Sequence, residues 1–389
     1  MKTVGVIVEY NPFHNGHLYH LNEARRRSQA DIVIAVLNGN FTQRGTPAIV
    51  DKWTRCQMAL TNGADLVIEL PFCYGTSSAD YFAEGAVRLL FGLGCDALCF
   101  GTDNDMLNYQ AFGKLALKHQ GLINQRLKEL PNNLNYPAKM TQIWREILKD
   151  ETISFNTPNH LLALSYAKAN ASLAAPMKLI PINRYGAQFH QLGRSGRFAS
   201  ATAIRQMILS NQTAELAEVV PKVALDLLMN AAKVQTDTLY PLLKYRILTS
   251  SVMQLRQIHQ MKEGLEHKLK REINQAETFD TLLERLKSKR YTHAFLRRLL
   301  IYLLLNVTDD EMTAQRAHLS LRLLGFSAAG QRYLKENKQK FRLPILSRVG
   351  QSTADIALNL KADAVYQLLN SAISEQNYGR VPQIYDKKE

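Results

Sequence analysis

The sequence predicts an α/β N-terminal domain built on a parallel sheet, followed by an all-helical C-terminal domain. Three observations carry this. Short apolar runs alternate with helix-period stretches over residues 1–210, strand patterns stop near that point, and Leu-, Arg- and Lys-rich segments with helical spacing fill residues 211–389.

The elements follow in order. TVGVIVEY, ADIVIAVLNG, ADLVIELP, CDALCFGT and MKLIPINRY are apolar enough to be strands covered on both faces. DKWTRCQMALTNG and ADYFAEGAVRLLFGLG, lying between them, read as helices. In such sheets a ligand sits at the carboxyl ends of the strands, over helix N-termini. Beyond residue 211, LLKYRILTSSVMQLRQI, LLERLKSKRYTHAFLRRLLIYLLLN and AQRAHLSLRLLGF read as helices. No glycine- or proline-rich linker separates the halves, which are expected to pack closely.

The composition, 46% hydrophobic and 21% charged, is that of a globular protein, and no apolar run is long enough to span a membrane. MKTVGVIVEY lacks a long apolar core or a small-residue cleavage site and is not read as a signal peptide. Cys56, Cys73, Cys95 and Cys99 show neither metal spacing nor a disulfide framework; Cys95 and Cys99, around an apolar strand, read as core thiols, and a reducing cytoplasm is expected. A formal charge of +14 favours anionic partners, nucleic acid among them.

His14-Asn15-Gly16-His17 stands where the first strand gives way to a helix. A helix start offers unpaired N–H groups and the positive end of the dipole, which suits phosphate. Gly16 permits close approach to the backbone. Two imidazoles there are able to donate to phosphate oxygens as charge builds during attack at the α-phosphorus, which makes His14 and His17 the catalytic candidates. Further on, Ser200-Ala-Thr-Ala-Ile-Arg205 supplies hydroxyls and a guanidinium fork, with Ser200 also placed to cap a helix.

HNGH resembles the HxGH motif of the nucleotidyltransferase superfamily that includes class I aminoacyl-tRNA synthetases, and SATAIR resembles that superfamily's phosphate-closing signature. The resemblance implies a Rossmann-like N-terminal domain. It narrows further. VIVEYNPFHNGHLYHL, GNFTQRGTPAIVDKWTR, ADLVIELPF, FGTD, TPNHLLALSY, INRYGA and KSKRYTHA occur in this order and together resemble the bacterial tRNA(Met) cytidine acetate ligase family. That family activates acetate with ATP to acetyl-adenylate and acetylates the wobble cytidine of elongator tRNA(Met) to N(4)-acetylcytidine.

The resemblance implies an ATP loop running from Ile7 through Val8, Glu9, Tyr10, Asn11, Pro12, Phe13, His14, Asn15, Gly16, His17, Leu18 and Tyr19 to His20. Gly101, Asn159, Arg184, Thr202 and Arg205 match further ATP-contacting positions. Read alone, Gly101 ends a strand, Arg184 is a surface residue and Asn159 is placed to cap a helix. His160 departs from the family pattern, where asparagine is expected, and so does Gln188-Phe189 in place of Gly-Tyr. Magnesium is expected with ATP, because four phosphate charges must be partly neutralised.

An acetate site needs a cation or several donors. Asn40, Arg44 and Lys52, after the second strand, are the candidates, with Gln43 and Arg55 beside them. Residues 281–300 carry six Lys/Arg against one Glu. There Lys287, Lys289, Arg290, Tyr291, Arg297 and Arg298 are the tRNA candidates: cations for the backbone and an aromatic ring for an unstacked base. Two other readings stand beside the ligase. A small-molecule adenylyltransferase would use HNGH and SATAIR but leave the basic helical half without a role. An RNA-binding protein would keep the nucleotide site for regulation only.

Overall fold

A computed structural model describes all residues except 132–133, 150–156, 184–196, 351–353 and 387–389. The sheet runs in the order β5-β4-β1-β2-β3-β6-β7, with β8 also pairing with β6. Strands β1 (Thr3–Val8), β2 (Ile32–Asn38), β3 (Leu66–Leu70), β4 (Ala97–Thr102) and β5 (Lys178–Asn183) are mutually parallel, as the alternating pattern predicts. The order reverses beside β1, which places a crevice at the carboxyl ends of β1 and β4.

Both faces of the sheet are covered. Ile32, Ile34 and Val36 enter one apolar cluster while Val33, Ala35 and Leu37 enter the other, the period-2 signature of a central strand. Cys56, Cys73, Cys95 and Cys99 are free thiols, as expected, and are buried in these clusters. Burial pushes the thiols of Cys73, Cys95 and Cys99 up to about 12, too high for a nucleophile at neutral pH.

The C-terminal half is mainly helical, but the expectation of helices alone is corrected at three short strands. β6 (Leu321–Ser327) lies antiparallel against β3, with Leu66 opposite Phe326, and pairs in turn with β7 (Ile345–Leu346) and β8 (Gln383–Tyr385). LRLLGFS is a short apolar run that fits strand or helix equally well, and the open edge of β3 decides between them. Residue 210 does not divide the core, since one apolar cluster includes both Ile68 and Leu303.

Candidate active site

The nucleotide loop begins where β1 ends. Tyr10 takes a left-handed backbone (φ +48°) and a cis Asn11-Pro12 peptide follows. The helix Asn15–Ser28 then starts with His14 as its N-cap, whose Nδ1 accepts from Gly16 N at 3.0 Å. A Cβ on Gly16 would lie 2.9 Å from the His14 ring, so a larger residue there would push the capping imidazole aside. The His14 and His17 rings stack at 3.7 Å, and the Tyr10 ring meets His17 edge-on at 4.8 Å. The two imidazoles are thereby fixed side by side at a helix N-terminus.

SATAIR is brought onto this loop. Ser200 caps the helix Ala201–Leu209, its Oγ accepting from Ala203 N at 3.1 Å. Arg205 Nη1 donates to Asn11 O at 2.8 Å and Nη2 to Thr202 Oγ1 at 3.1 Å. Burial lowers the Arg205 pKa, Glu9 opposes that, and the nearby charges of Arg44 and Arg297 push it the same way as burial. Arg44 and Arg297 are thus near enough to Arg205 for their charges to act on it. Asn15 Nδ2 donates to Arg197 O and Glu218 O, and His20 Nε2 lies 3.3 Å from Cys99 O on β4. The arrangement is a cationic cradle at the carboxyl edge of the sheet, suited to a polyphosphate.

A family model described as HIGH Nucleotidyl Transferase matches residues 1–380. A Latilactobacillus sakei protein named tRNA(Met) cytidine acetate ligase is 41% identical over 100% of this chain and 99% of its own length. A Streptococcus agalactiae protein of the same name is 42% identical over 98% of this chain and 97% of its own. The chain belongs to the tRNA(Met) cytidine acetate ligase family. Crystal structures of Thermotoga maritima TmcAL, at 27% identity and full coverage of both chains, superpose with TM-scores of 0.90 for the apo form and 0.88 for the form bound with alpha-thio ATP.

The remaining residues singled out for this family fall into two groups. Gly101 stands near the carboxyl end of β4, at the ligand edge. Asn159 lies in the first turn of the helix Pro158–Ala171, whose N-cap is Thr157, so its reading as a cap is corrected. Beside it His160 Nδ1 is 3.3 Å from the Tyr109 hydroxyl, itself 2.5 Å from Thr102 Oγ1. Burial lowers the His160 pKa against the opposing charge of Asp103, which keeps the imidazole neutral at pH 7. Arg184, Gln188 and Phe189 lie outside the described residues.

Two acetate candidates are corrected. Lys52 is fully buried, with Nζ 2.8 Å from Glu69 Oε2 and 2.6 Å from Asp363 Oδ2. Burial alone would lower its pKa, but the two carboxylates outweigh burial and raise it. Asn40 is also buried, donating to Asp363 Oδ1 and Gln376 Oε1 and accepting from Lys52 N. Both side chains bind C-terminal residues to the sheet and have no capacity left for acetate. Arg55 behaves likewise, donating to the carbonyls of Glu9, Asn38, Gly39 and Val50. Arg44 remains exposed at the cradle.

The basic segment is not one helix. The helix Phe279–Leu286 ends before Lys287, and the next, His293–Leu304, is capped by Thr292 Oγ1 accepting from Phe295 N. Lys289 and Arg290 are exposed on the intervening loop. There Arg290 lies over the Tyr291 ring at 5.3 Å, and Tyr291 stacks on Phe295 at 5.1 Å. Lys287 Nζ donates to the carbonyls of Ser288 and Tyr291. Arg298 is corrected as an RNA contact because it is buried.

Sequence reasoning missed the brace that aligns these parts. Glu9 Oε1 accepts from Asn38 Nδ2 at 2.9 Å and from Gln43 N at 2.6 Å, fixing the turn after β2 to the nucleotide loop. That turn includes Gly45 (φ +79°), where a Cβ would lie 2.4 Å from Arg298 N. Only glycine lets the helix His293–Leu304 close onto the site. No short motif announces such a contact between residues so far apart in sequence.

Proposed function

We propose that the chain is an ATP-dependent ligase that activates acetate as acetyl-adenylate and acetylates the wobble cytidine of elongator tRNA(Met). The observation that carries this is Arg205 reaching Asn11 O, which joins the two nucleotidyltransferase motifs into one cradle. The carboxylate oxygen of acetate attacks the α-phosphorus. The bond from that phosphorus to the oxygen bridging the β-phosphate breaks, and pyrophosphate leaves with the electron pair. The cytidine N4 amine then attacks the acyl carbon, AMP departs, and the amine loses a proton.

In this reading His14 and His17 donate to α-phosphate oxygens as charge builds, while Arg205, Arg44 and Arg297 hold the outer phosphates. Arg297 thus moves from the RNA surface to the nucleotide. Lys289, Arg290 and Tyr291 stay as the exposed RNA contacts, cations with a stacked ring. Among the described residues no group of three or more His, Cys, Asp or Glu side chains is placed to hold a metal ion. In this reading magnesium enters with ATP, held mainly by the phosphates whose charge it partly neutralises. No helix among the described residues is long and apolar enough to cross a membrane.

The test is mass spectrometry of tRNA(Met) after incubation with ATP and acetate. Acetylcytidine should form, and acetyl-CoA without ATP should give none. Product from acetyl-CoA alone would overturn the reading. ATP–pyrophosphate exchange that ignores acetate would favour a different adenylyltransferase.

A further inference from the structure

Four cationic side chains are buried at or beneath the carboxyl edge of the sheet, and three have evident compensation. Lys52 has two carboxylates. Arg55 has four carbonyl acceptors. Arg322, whose three guanidinium nitrogens lack hydrogen-bond partners, still has counter-charge from Glu69 Oε2 at 4.0 Å and from Asp363. Arg298 differs. It is 8% exposed, its Nε is buried without a hydrogen-bond partner, and its one hydrogen bond is a long one of 3.4 Å from Nη1 to Gln43 O. Among the described residues no carboxylate lies within ion-pair distance of it. A buried guanidinium without a counter-charge is strongly destabilising, a cost that an anion bound beside it relieves.

The place is specific. Gln43, which accepts from Arg298, donates its N–H to Glu9 Oε1 at 2.6 Å and its side-chain amide to Ser77 O at 2.9 Å. One turn along the same helix, the Tyr302 hydroxyl donates to Thr76 O. Arg298 therefore lies between the loops that follow β2 and β3, adjoining the residue that opens the nucleotide loop. Nη1 is engaged by Gln43, which leaves the Nε side of the guanidinium, the edge that meets a planar carboxylate through two parallel bonds. One buried positive charge is neutralised by one monoanion. A polyphosphate would overcharge this position, and Arg205, Arg44 and Arg297 already serve it.

We propose that Arg298 anchors the carboxylate of a small monocarboxylic acid, acetate in the reading above, for attack on the α-phosphorus. This rests on that reading for the identity of the acid. The test is acetate-dependent ATP–pyrophosphate exchange without tRNA, using Arg298→Gln and Arg298→Lys in the full chain. Arg298→Gln should raise the KM for acetate at least tenfold and leave equilibrium ATP binding unchanged. Arg298→Lys, which keeps the charge but loses the fork, should fall between. A folded variant with wild-type acetate KM overturns the proposal, and so does an equal loss of ATP affinity. If Arg298→Gln does not fold, Arg298→Lys alone decides by the same two readouts. Should the wild type show no acetate-driven exchange, the ligase reading fails. The anchor is then judged by thermal stabilisation of the wild type with a series of monocarboxylates: stabilisation that Arg298→Lys loses supports it, and none overturns it.

Discussion

Two groups of charged side chains occupy the same edge of the sheet and are built in opposite ways. On the β3 side, Lys52, Glu69, Asp363 and Arg322 form a buried knot in which two positive charges face two negative ones. Asn40, Asn359 and Asn377 take up further hydrogen bonds of its carboxylates. On the β1 side, Arg44, Arg205 and Arg297 bring like charges together, and Glu9, whose charge acts on Arg205, has an oxygen occupied by Asn38 and Gln43. The difference teaches how to separate scaffold from site. Charges that cancel in place hold the chain together, whereas charges that accumulate at a helix N-terminus need a ligand to cancel them.

The comparison breaks most severely at Lys52. Lys52→Met leaves two buried carboxylates with only Arg322 close by, so urea unfolding should show a loss of about 3–5 kcal/mol. A loss near zero would mean that the knot contributes no structure. At the other group, His17→Ala should keep the fold and lower acetate-driven exchange by ~10²–10³, the usual effect of removing one donor to transition-state charge. Near-normal exchange would take His17 out of the chemistry.

A smaller effect should follow removal of single cations from the cradle. Arg44→Ala or Arg297→Ala should weaken ATP binding roughly tenfold, in line with a lost charged hydrogen bond of about 1.5 kcal/mol. The deficit should shrink at high salt, which screens exposed charges. Arg290→Ala should weaken tRNA binding and leave ATP binding as it was. The reverse pattern would return Arg297 to the RNA surface.

Mild acid gives the smallest effect, because guanidinium groups do not titrate there. Burial holds the pKa of both His160 and His259 below the ordinary value. Below about pH 6.5 the unfolded chain takes up protons that the folded imidazoles resist. Stability is therefore full above that pH and falls as pH drops toward the folded values. Melting temperatures between about pH 5 and 7.5 should show the fall, and His160→Asn should reduce it. No change with that substitution would leave the slope to other groups.

The sequence made the nucleotide loop legible because its signal is contiguous: a strand, a capping histidine, a glycine and a second histidine within a few residues. The parallel strands were legible for the same reason, each carrying its own apolar run. β6 was not, since LRLLGFS becomes a strand only because β3 offers it an edge. Lys52 and Asn40 looked available beside the second strand, and their partner Asp363 lies 311 residues from Lys52. Arg298 looked exposed within a basic run, and Gly45, far upstream, is what allows its helix to bury it.

The knot also sets a time at which the protein can begin to work. Domains often fold from the N-terminus while synthesis continues, and HNGH leaves the ribosome well before Asp363 and Gln376. Yet Lys52 has no Asp363, Asn40 no Gln376 and β3 no β6 until those later residues have emerged. A nascent chain with its nucleotide motif already translated should thus remain inert, and messages cut before the codon for Asp363 should yield no partial enzyme able to consume ATP. The segment around Asp363 thereby acts as a completion check on the sheet made before it.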